Sequence, residues 1–268
     1  MKVSVLGPGG TFSHEAGLVY CKDAQFLFES TIYDVFDVLS SGRSDAAVVP
    51  LENSVSGSVG ESLDALLEFD LKVNRVVLLD VVHNLVGNAK KDIKRLYVHP
   101  LAHAQCREYV RVNFSGAEIV HTSSNAASAT FVKESFDGAI VPGVAAKIYG
   151  KKVIDEGVQD NKGQNVTLFG VLGKGYAEKS GDDRTFIVFD CVDRAGILYE
   201  ILGLFAKAGI NLYKIESRPN KRKIGEYIFY VEFCGHPQDE VVSGVISMLK
   251  KKVVFLKVLG AYPAGGSE

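Results

Sequence analysis

The sequence predicts an α/β protein in two parts: a two-lobed open α/β domain, then a smaller βαββαβ domain of ferredoxin-like type. Three observations carry this. Over roughly the first 150 residues, short apolar runs alternate with helix-length amphipathic runs, as in open sheets covered by helices. The alternation occurs twice, on either side of a long β-branched stretch, "VNRVVLLDVVHNLVG", so two lobes with a cleft between them are expected. Residues 173–183 are rich in Gly, Lys, Ser and Asp and read as a linker, and a new strand and helix order follows them. The expected domains are 1–175 and 184–263.

Taken in order, "KVSVL" is a strand, and "GPGGTFSHEAGLVYC" is a glycine loop entering a helix. "QFLFES" is a strand, and "TIYDVFDVLSSG" a helix that Thr31 is placed to cap. "DAAVVP" is a buried strand, and "GSVGESLDALLEF" a helix. Beyond the long β-branched stretch come "RLYVH" (strand), "PLAHAQCREYVRVN" (one helix, with Pro100 in its first turn), "AEIVH" (strand), "SNAASATFVKES" (helix), "GAIV" (strand) and "PGVAAKIYG" (helix). After the linker, "RTFIVFDCVD", "INLYKIESRP", "GEYIFYVEFCG" and "VVFLKVLGAYP" are strands. "AGILYEILGLFAKAG" and "QDEVVSGVISMLKKK" are helices, which gives βαββαβ. "NKRKIG" is the hairpin turn between the middle strands, a solvated basic turn. Lys250, Lys251 and Lys252 close the last helix favourably against its dipole.

The 268 residues are 47% hydrophobic and 23% charged, enough apolar mass for more than one core. A formal net charge of -2 gives no pull toward nucleic acid or an anionic membrane. No apolar run approaches the ~20 residues of a membrane span. The apolar part of "MKVSVLG" is too short for a signal peptide. Cys21, Cys106, Cys191 and Cys234 are scattered without ligand spacing and read as reduced thiols of a cytoplasmic protein.

Four loops carry more small polar groups than a turn requires: residues 7–13, 52–58, 122–125 and 165–167. The first three fall where a strand hands over to a helix. Ser13, Thr31 and Ser123 are each explained equally well as N-caps. Taken together, at equivalent ends of two sheets, the loops suggest a cleft for a small anion. Nucleotide binding is disfavoured, because "GPGGTFSHEAG" lacks both the Gly-x-Gly-x-x-Gly spacing and a following Lys-Ser/Thr pair. His99 and His103 are spaced i, i+4, but Pro100 puts His99 outside the helix and no third ligand accompanies them, so no metal site is expected. His14 and Glu15 suit either an acid–base pair or an ordinary helix start. Covalent catalysis has no supporting motif.

These loops resemble those of the prephenate dehydratase family. "GPGGTFS", "PLENSVSGSV", "HNL", "HPLAHAQC", "TSSNAA" and "NVTLFGVLG" follow the family's motifs in order. The last domain, with "AGILYEIL" and "IESRP", resembles the ACT regulatory domain of these enzymes. The resemblance covers nearly the whole chain. It implies a periplasmic-binding-protein-like catalytic domain plus an ACT domain. It also implies decarboxylating dehydration of prephenate to phenylpyruvate, feedback inhibition by L-phenylalanine, and a homodimer or homotetramer pairing partly through the ACT domain. No cofactor or metal is implied, because aromatisation drives the reaction. Thr167 is implied as the hydroxyl that assists the leaving group, and Glu52 as the nearest carboxylate. Thr11, Ser13, Asn53, Ser54, Thr122, Ser123, Asn165 and Phe169 are implied to hold substrate. The implied phenylalanine site comprises Asp193, Ala195, Gly196, Ile197, Leu198, Asn211, Leu212, Glu216 and Ser217, with Arg218 holding the interface.

The sequence departs from the family pattern at a few positions. Leu168 stands where Thr-Arg-Phe is usual, Leu101 where Gln follows His-Pro, and Ala195 and Ile197 where Pro and Ala are common. If the family's arginine holds a substrate carboxylate, Leu168 supplies neither donor nor charge, and Lys162, Gln164 or Arg107 would have to take its place. Two alternatives therefore stand beside the dehydratase: a catalytically weakened amino-acid sensor, and an arogenate dehydratase.

Overall fold

The computed structural model describes residues 1–220 and 227–265, which fall into two compact units. The first comprises Met1–Ser62 and Val77–Phe169. The second comprises Leu63–Val76 and the chain from Gly170 onward. Of the basic turn "NKRKIG", residues 221–225 lie outside the described residues.

In the first unit, β1 (Lys2–Leu6), β2 (Gln25–Glu29) and β3 (Ala46–Asn53) form a parallel group ordered β2-β1-β3. Helices α1 (Phe12–Tyr20) and α2 (Ile32–Ser40) connect them. Val3, Val5, Val48 and Val49 are fully buried from these strands, and Val35, Phe36 and Leu39 from α2. Thr31 caps α2 as the sequence predicts: its hydroxyl accepts from Asp34 N–H while the Asp34 carboxylate accepts from Thr31 N–H. For α1 the cap is Thr11. Ser13 lies inside the helix and is buried.

Residues 57–58, expected to open a helix, instead form β4 (Gly57–Ser58), which folds back antiparallel on β3. The reason is local: the Asn53 side-chain oxygen accepts from the N–H groups of Val55 and Ser56, which tightens the turn. Helix α3 (Gly60–Glu68) then begins. The long β-branched stretch is two strands, β5 (Lys72–Asp80) and β6 (His83–Gly87), which belong to different sheets.

The second lobe of this unit is a five-stranded sheet. It contains β6, β7 (Arg95–Val98), β8 (Glu118–His121), β9 (Asp137–Pro142) and a short strand the sequence does not announce, β10 (Val153–Asp155). The order is β10-β6-β9-β7-β8. Adjacent residues Leu85 and Val86 of β6 join different apolar clusters. Burial of both sheet faces explains why these strands read as unbroken apolar runs. The expected helix at 100–113 is interrupted at Cys106, whose backbone (φ -117, ψ 23) leaves the helical region, giving α4 (Pro100–Gln105) and α5 (Arg107–Asn113). Of "SNAASATFVKES" only α6 (Ser128–Phe131) is helical, followed by α7 (Gly143–Ile148). Strand β11 (Val166–Gly173) returns beside β3.

The second unit contains β12 (Asp183–Asp190), α8 (Ile197–Lys207), β13 (Leu212–Pro219), β14 (Tyr227–Cys234), α9 (Glu240–Lys250) and β15 (Phe255–Pro263). This is the βαββαβ order, with antiparallel strands arranged β13-β14-β12-β15. Ile201 and Phe205 of α8 and Val242, Val245 and Leu249 of α9 pack on Ile187, Phe189, Val231 and Phe233 of the sheet. Segment 63–76 joins this unit through specific contacts. The buried Tyr230 hydroxyl donates to Leu63 O, and Lys257 Nζ donates to Leu66 O, Leu67 O and Phe69 O, satisfying the carbonyls at the end of α3.

Candidate active site

The polar loops of the first unit converge on one cavity of about 410 Å3. Its wall draws on the β1–α1 loop (Gly7, Thr11), α1 (Phe12, Ser13), the end of β3 (Pro50, Asn53) and β11 (Thr167, Phe169). The second lobe supplies His83, His99, Leu101, Gln105, Ser123, Ser124 and Asn125. The first loop is held against that lobe at short range. Gly10 has φ +96, and a Cβ there would lie 3.0 Å from Ala145 Cα, so only glycine fits. The Tyr149 hydroxyl donates to Gly9 O at 3.1 Å.

Thr167 and Asn53 form the centre of one wall. Asn53 Nδ2 donates to Thr167 Oγ1 at 2.9 Å and to Asn165 Oδ1 at 2.7 Å. Asn53 Oδ1 accepts from two backbone N–H groups and the Ser56 hydroxyl, which fixes the orientation of the amide. Thr167 Oγ1 is therefore an acceptor toward Asn53, and its own hydrogen is available to the cavity it lines. Ser54 ties the end of β3 to β11: its hydroxyl donates to Gln164 O and accepts from Val166 N–H.

The residues implied by sequence divide as follows. Thr11, Ser13, Asn53, Ser123, Thr167 and Phe169 line the cavity. Ser54 and Asn165 lie behind that wall and brace it. Thr122 turns its hydroxyl to Ser124 O and Ser128 Oγ. Glu52 sits on β3 in register with Ser58, outside the lining. Leu168 lies between two lining residues of a regular strand, so its side chain projects from the opposite face of β11. Lys162, Gln164 and Arg107 also lie outside the lining.

Sequence reasoning placed Ser56, Ser124 and Asn125 in the cleft loops but did not single out Ser30, His99 or Gln105 as lining residues. For Gln105 a signal existed: it stands four residues after Leu101, on the same helix face. His83 is 1% exposed; its Nε2 pairs with Gln105 Oε1 at 2.9 Å, and burial holds its pKa below the ordinary value. His83 Nδ1 and Asn125 Oδ1 are buried without a protein partner. His14, buried against Phe26 and Phe28, accepts from Gly10 N–H and is held neutral by burial, so it supports the loop. The described lining contains no Lys, Arg, Asp or Glu. Among the described residues no group of three or more His, Cys, Asp or Glu side chains is arranged to hold a metal ion.

In the second unit, residues 193–196 are exposed ahead of α8, and Ile197 and Leu198 begin that helix half-buried. Asn211 is exposed just before β13. Leu212 and Glu216 on β13 are half-buried, and Ser217 is exposed. Arg218 reaches Asp64 and Glu216, each at 3.6 Å.

The family described as prephenate dehydratase matches residues 3–177, and the ACT domain family matches 185–246. A prephenate dehydratase of Methanocaldococcus jannaschii is 37% identical over 267 residues, 96% of each chain. The crystal structure of a prephenate dehydratase from Arthrobacter aurescens, in complex with L-Phe, aligns with a TM-score of 0.88 at 33% identity, over 98% of this chain and 90% of that one. A structure described as GqqA, a novel type of quorum quenching acylase, aligns with a TM-score of 0.89 at 25% identity, over 99% and 98%.

Proposed function

Because the chain belongs to the prephenate dehydratase family, we propose that it converts prephenate to phenylpyruvate, carbon dioxide and water, under feedback control by L-phenylalanine. The observation that carries the reading is the Asn53–Thr167 pair in the wall of a cavity whose described lining contains no Lys, Arg, Asp or Glu. As the ring carboxylate departs as carbon dioxide, its bonding electrons aromatise the ring and expel the hydroxyl across it. Thr167 is positioned to give that oxygen its proton, so that water leaves, and solvent returns a proton to the threonine oxygen to complete the turnover. A threonine is a weak acid. It contributes through placement, with Asn53 donating to its oxygen and polarising the O–H. Ser13 and Ser123 suit the carboxylates as neutral donors, whereas the Thr11 hydroxyl donates to Leu6 O and caps α1, so Thr11 shapes the loop. A cation on the ring carboxylate would stabilise the ground state and oppose its loss. Asn165, Ser54 and Phe169 hold the wall in place.

The face occupied by Leu168 removes the main ground for reading the chain as a weakened sensor, since an arginine there would not enter the cavity. We assign the catalytic domain to 1–175 and the regulatory domain to 184–263, a reading supported by family matches over 3–177 and 185–246. Phenylalanine binding is assigned to residues 193–198 together with 211, 212, 216 and 217. The edge strand β13 exposes Tyr213 and Ile215, which supports pairing of two chains through this domain. No helix among the described residues is long and apolar enough to cross a membrane. The four free cysteines, with burial pushing the Cys106 thiol up to about 12, fit a reducing cytoplasm. The test is turnover: purified protein mixed with prephenate must generate phenylpyruvate absorbance, with arogenate run in competition to settle the side-chain preference.

A further inference from the structure

Apart from the deeply buried His83, the described lining offers one side chain able to carry positive charge, His99. His99 precedes α4, and its Nδ1 accepts from Leu101 N–H at 3.4 Å. That contact places the ring proton on Nε2, which therefore acts as a donor directed away from the helix backbone. We propose that His99 binds the side-chain carboxylate of the ligand, the one that phenylpyruvate retains, through Nε2–H and takes up a second proton as that carboxylate arrives; a cation there does not oppose loss of the ring carboxylate. The proposal rests on reading the cavity as a dicarboxylate site.

The groups that act on His99 are all imidazoles. His121 at the end of β8 disfavours its charge, and His83 on β6 lies within electrostatic reach. His103, on the same helix, pairs with His121 at 3.2 Å. Burial and His121 together hold the His99 pKa below its ordinary value, so the free protein at neutral pH carries it uncharged. No carboxylate is among these influences, so an arriving anion is the strongest local bias toward the imidazolium. Protonation gives up the long 3.4 Å cap, a weak bond, in exchange for a charge-assisted one. By linkage, affinity for the anion rises as pH falls from the ligand-bound pKa of His99 toward its lower free pKa.

Two substitutions separate anion binding from capping. In His99→Asn the amide reproduces Nδ1 and keeps the cap but loses the reach of Nε2. In His99→Gln the amide reproduces Nε2 and gives up the cap. With prephenate, His99→Asn is expected to raise KM roughly tenfold or more with kcat within about twofold, the scale of losing a hydrogen bond to a charged group. His99→Gln should raise KM less than His99→Asn does, because its amide keeps the hydrogen bond and loses the charge, and it too should show no proton uptake. Independently of turnover, calorimetry of phenylpyruvate binding near pH 7, in buffers of different ionisation enthalpy, should show fractional proton uptake by wild type and none by His99→Asn. If wild type binds phenylpyruvate with His99-dependent proton uptake but does not turn prephenate over, the dehydratase reading falls and this one stands. Wild-type KM and unchanged proton uptake in His99→Asn overturn the proposal. So does an impaired His99→Gln beside a normal His99→Asn, or a wild type that binds no carboxylate.

Discussion

Thr167 and Leu168 are adjacent in sequence and on opposite faces of β11, so substitutions there should have opposite consequences. Thr167 is 7% exposed and its oxygen is held by Asn53. Thr167→Ala should lower kcat by roughly two orders of magnitude or more, the scale of a positioned proton donor, with KM changing far less. Activity within a few-fold of wild type would remove Thr167 from the chemistry. Leu168→Arg should leave kcat/KM within a few-fold, since the new guanidinium has no path into the cavity. A large gain in the same assay would mean that β11 presents its other face.

At the scale of elements, the close approach of β15 to β5 admits one residue type. Gly260 lies opposite Val73 in parallel register, and a Cβ there would sit 2.3 Å from Val73 O. Gly260→Ala should destabilise the protein by about 1–3 kcal/mol, the usual cost of overpacking, read as a lower midpoint in urea at unchanged slope. An unchanged midpoint would show that the two strands separate freely. Element-level features were unevenly legible. Thr31 and Asp34 were readable because a capping box is local chemistry. The interruption at Cys106 and the shortening to α6 were not, because contacts distant in sequence decide where such helices stop.

For the whole molecule, pH and ligand linkage are the informative variables. Burial holds His14, His83, His99 and His103 below the ordinary value of 6.5. They are neutral when folded, so the stability they lend is fully present above pH 6.5 and declines as pH falls through 6.5 toward the folded pKa values. For deeply buried His83 the slope in that window reaches about 1.4 kcal/mol per pH unit. The thermal midpoint should therefore drop between pH 7.5 and 5.5, less steeply in His83→Gln. A flat midpoint in wild type would contradict this. The Glu134 and Lys133 N–H groups and Arg95 hold the Asp137 pKa low, and Lys90 and Tyr109 hold the Asp155 pKa low, so the stability these carboxylates lend is lost only in stronger acid. On the regulatory side, phenylalanine should bind, inhibit turnover and strengthen association of chains, and an occupied cavity should weaken its binding by the same factor. Calorimetry with and without phenylpyruvate reads this coupling; equal affinities in the two titrations would leave the catalytic assignment standing without the allosteric one.

The sequence by itself determined the fold class, the order of nearly all strands, the family, and the loops that meet at the cavity. Periodicity, caps and loop chemistry are properties of residues near one another in the chain. Tertiary structure decided what each polar side chain faces. Asn53 is committed to Thr167 and Asn165, more than a hundred residues away. Leu168 turns from the cavity by the alternation of its strand, and segment 63–76 joins the second unit through Tyr230 and Lys257. A hydroxyl or amide has the same local sequence signature whether it points into a cavity or braces the wall behind it. Only long-range packing, which burial of apolar surface drives and hydrogen-bond satisfaction makes specific, distinguishes the two.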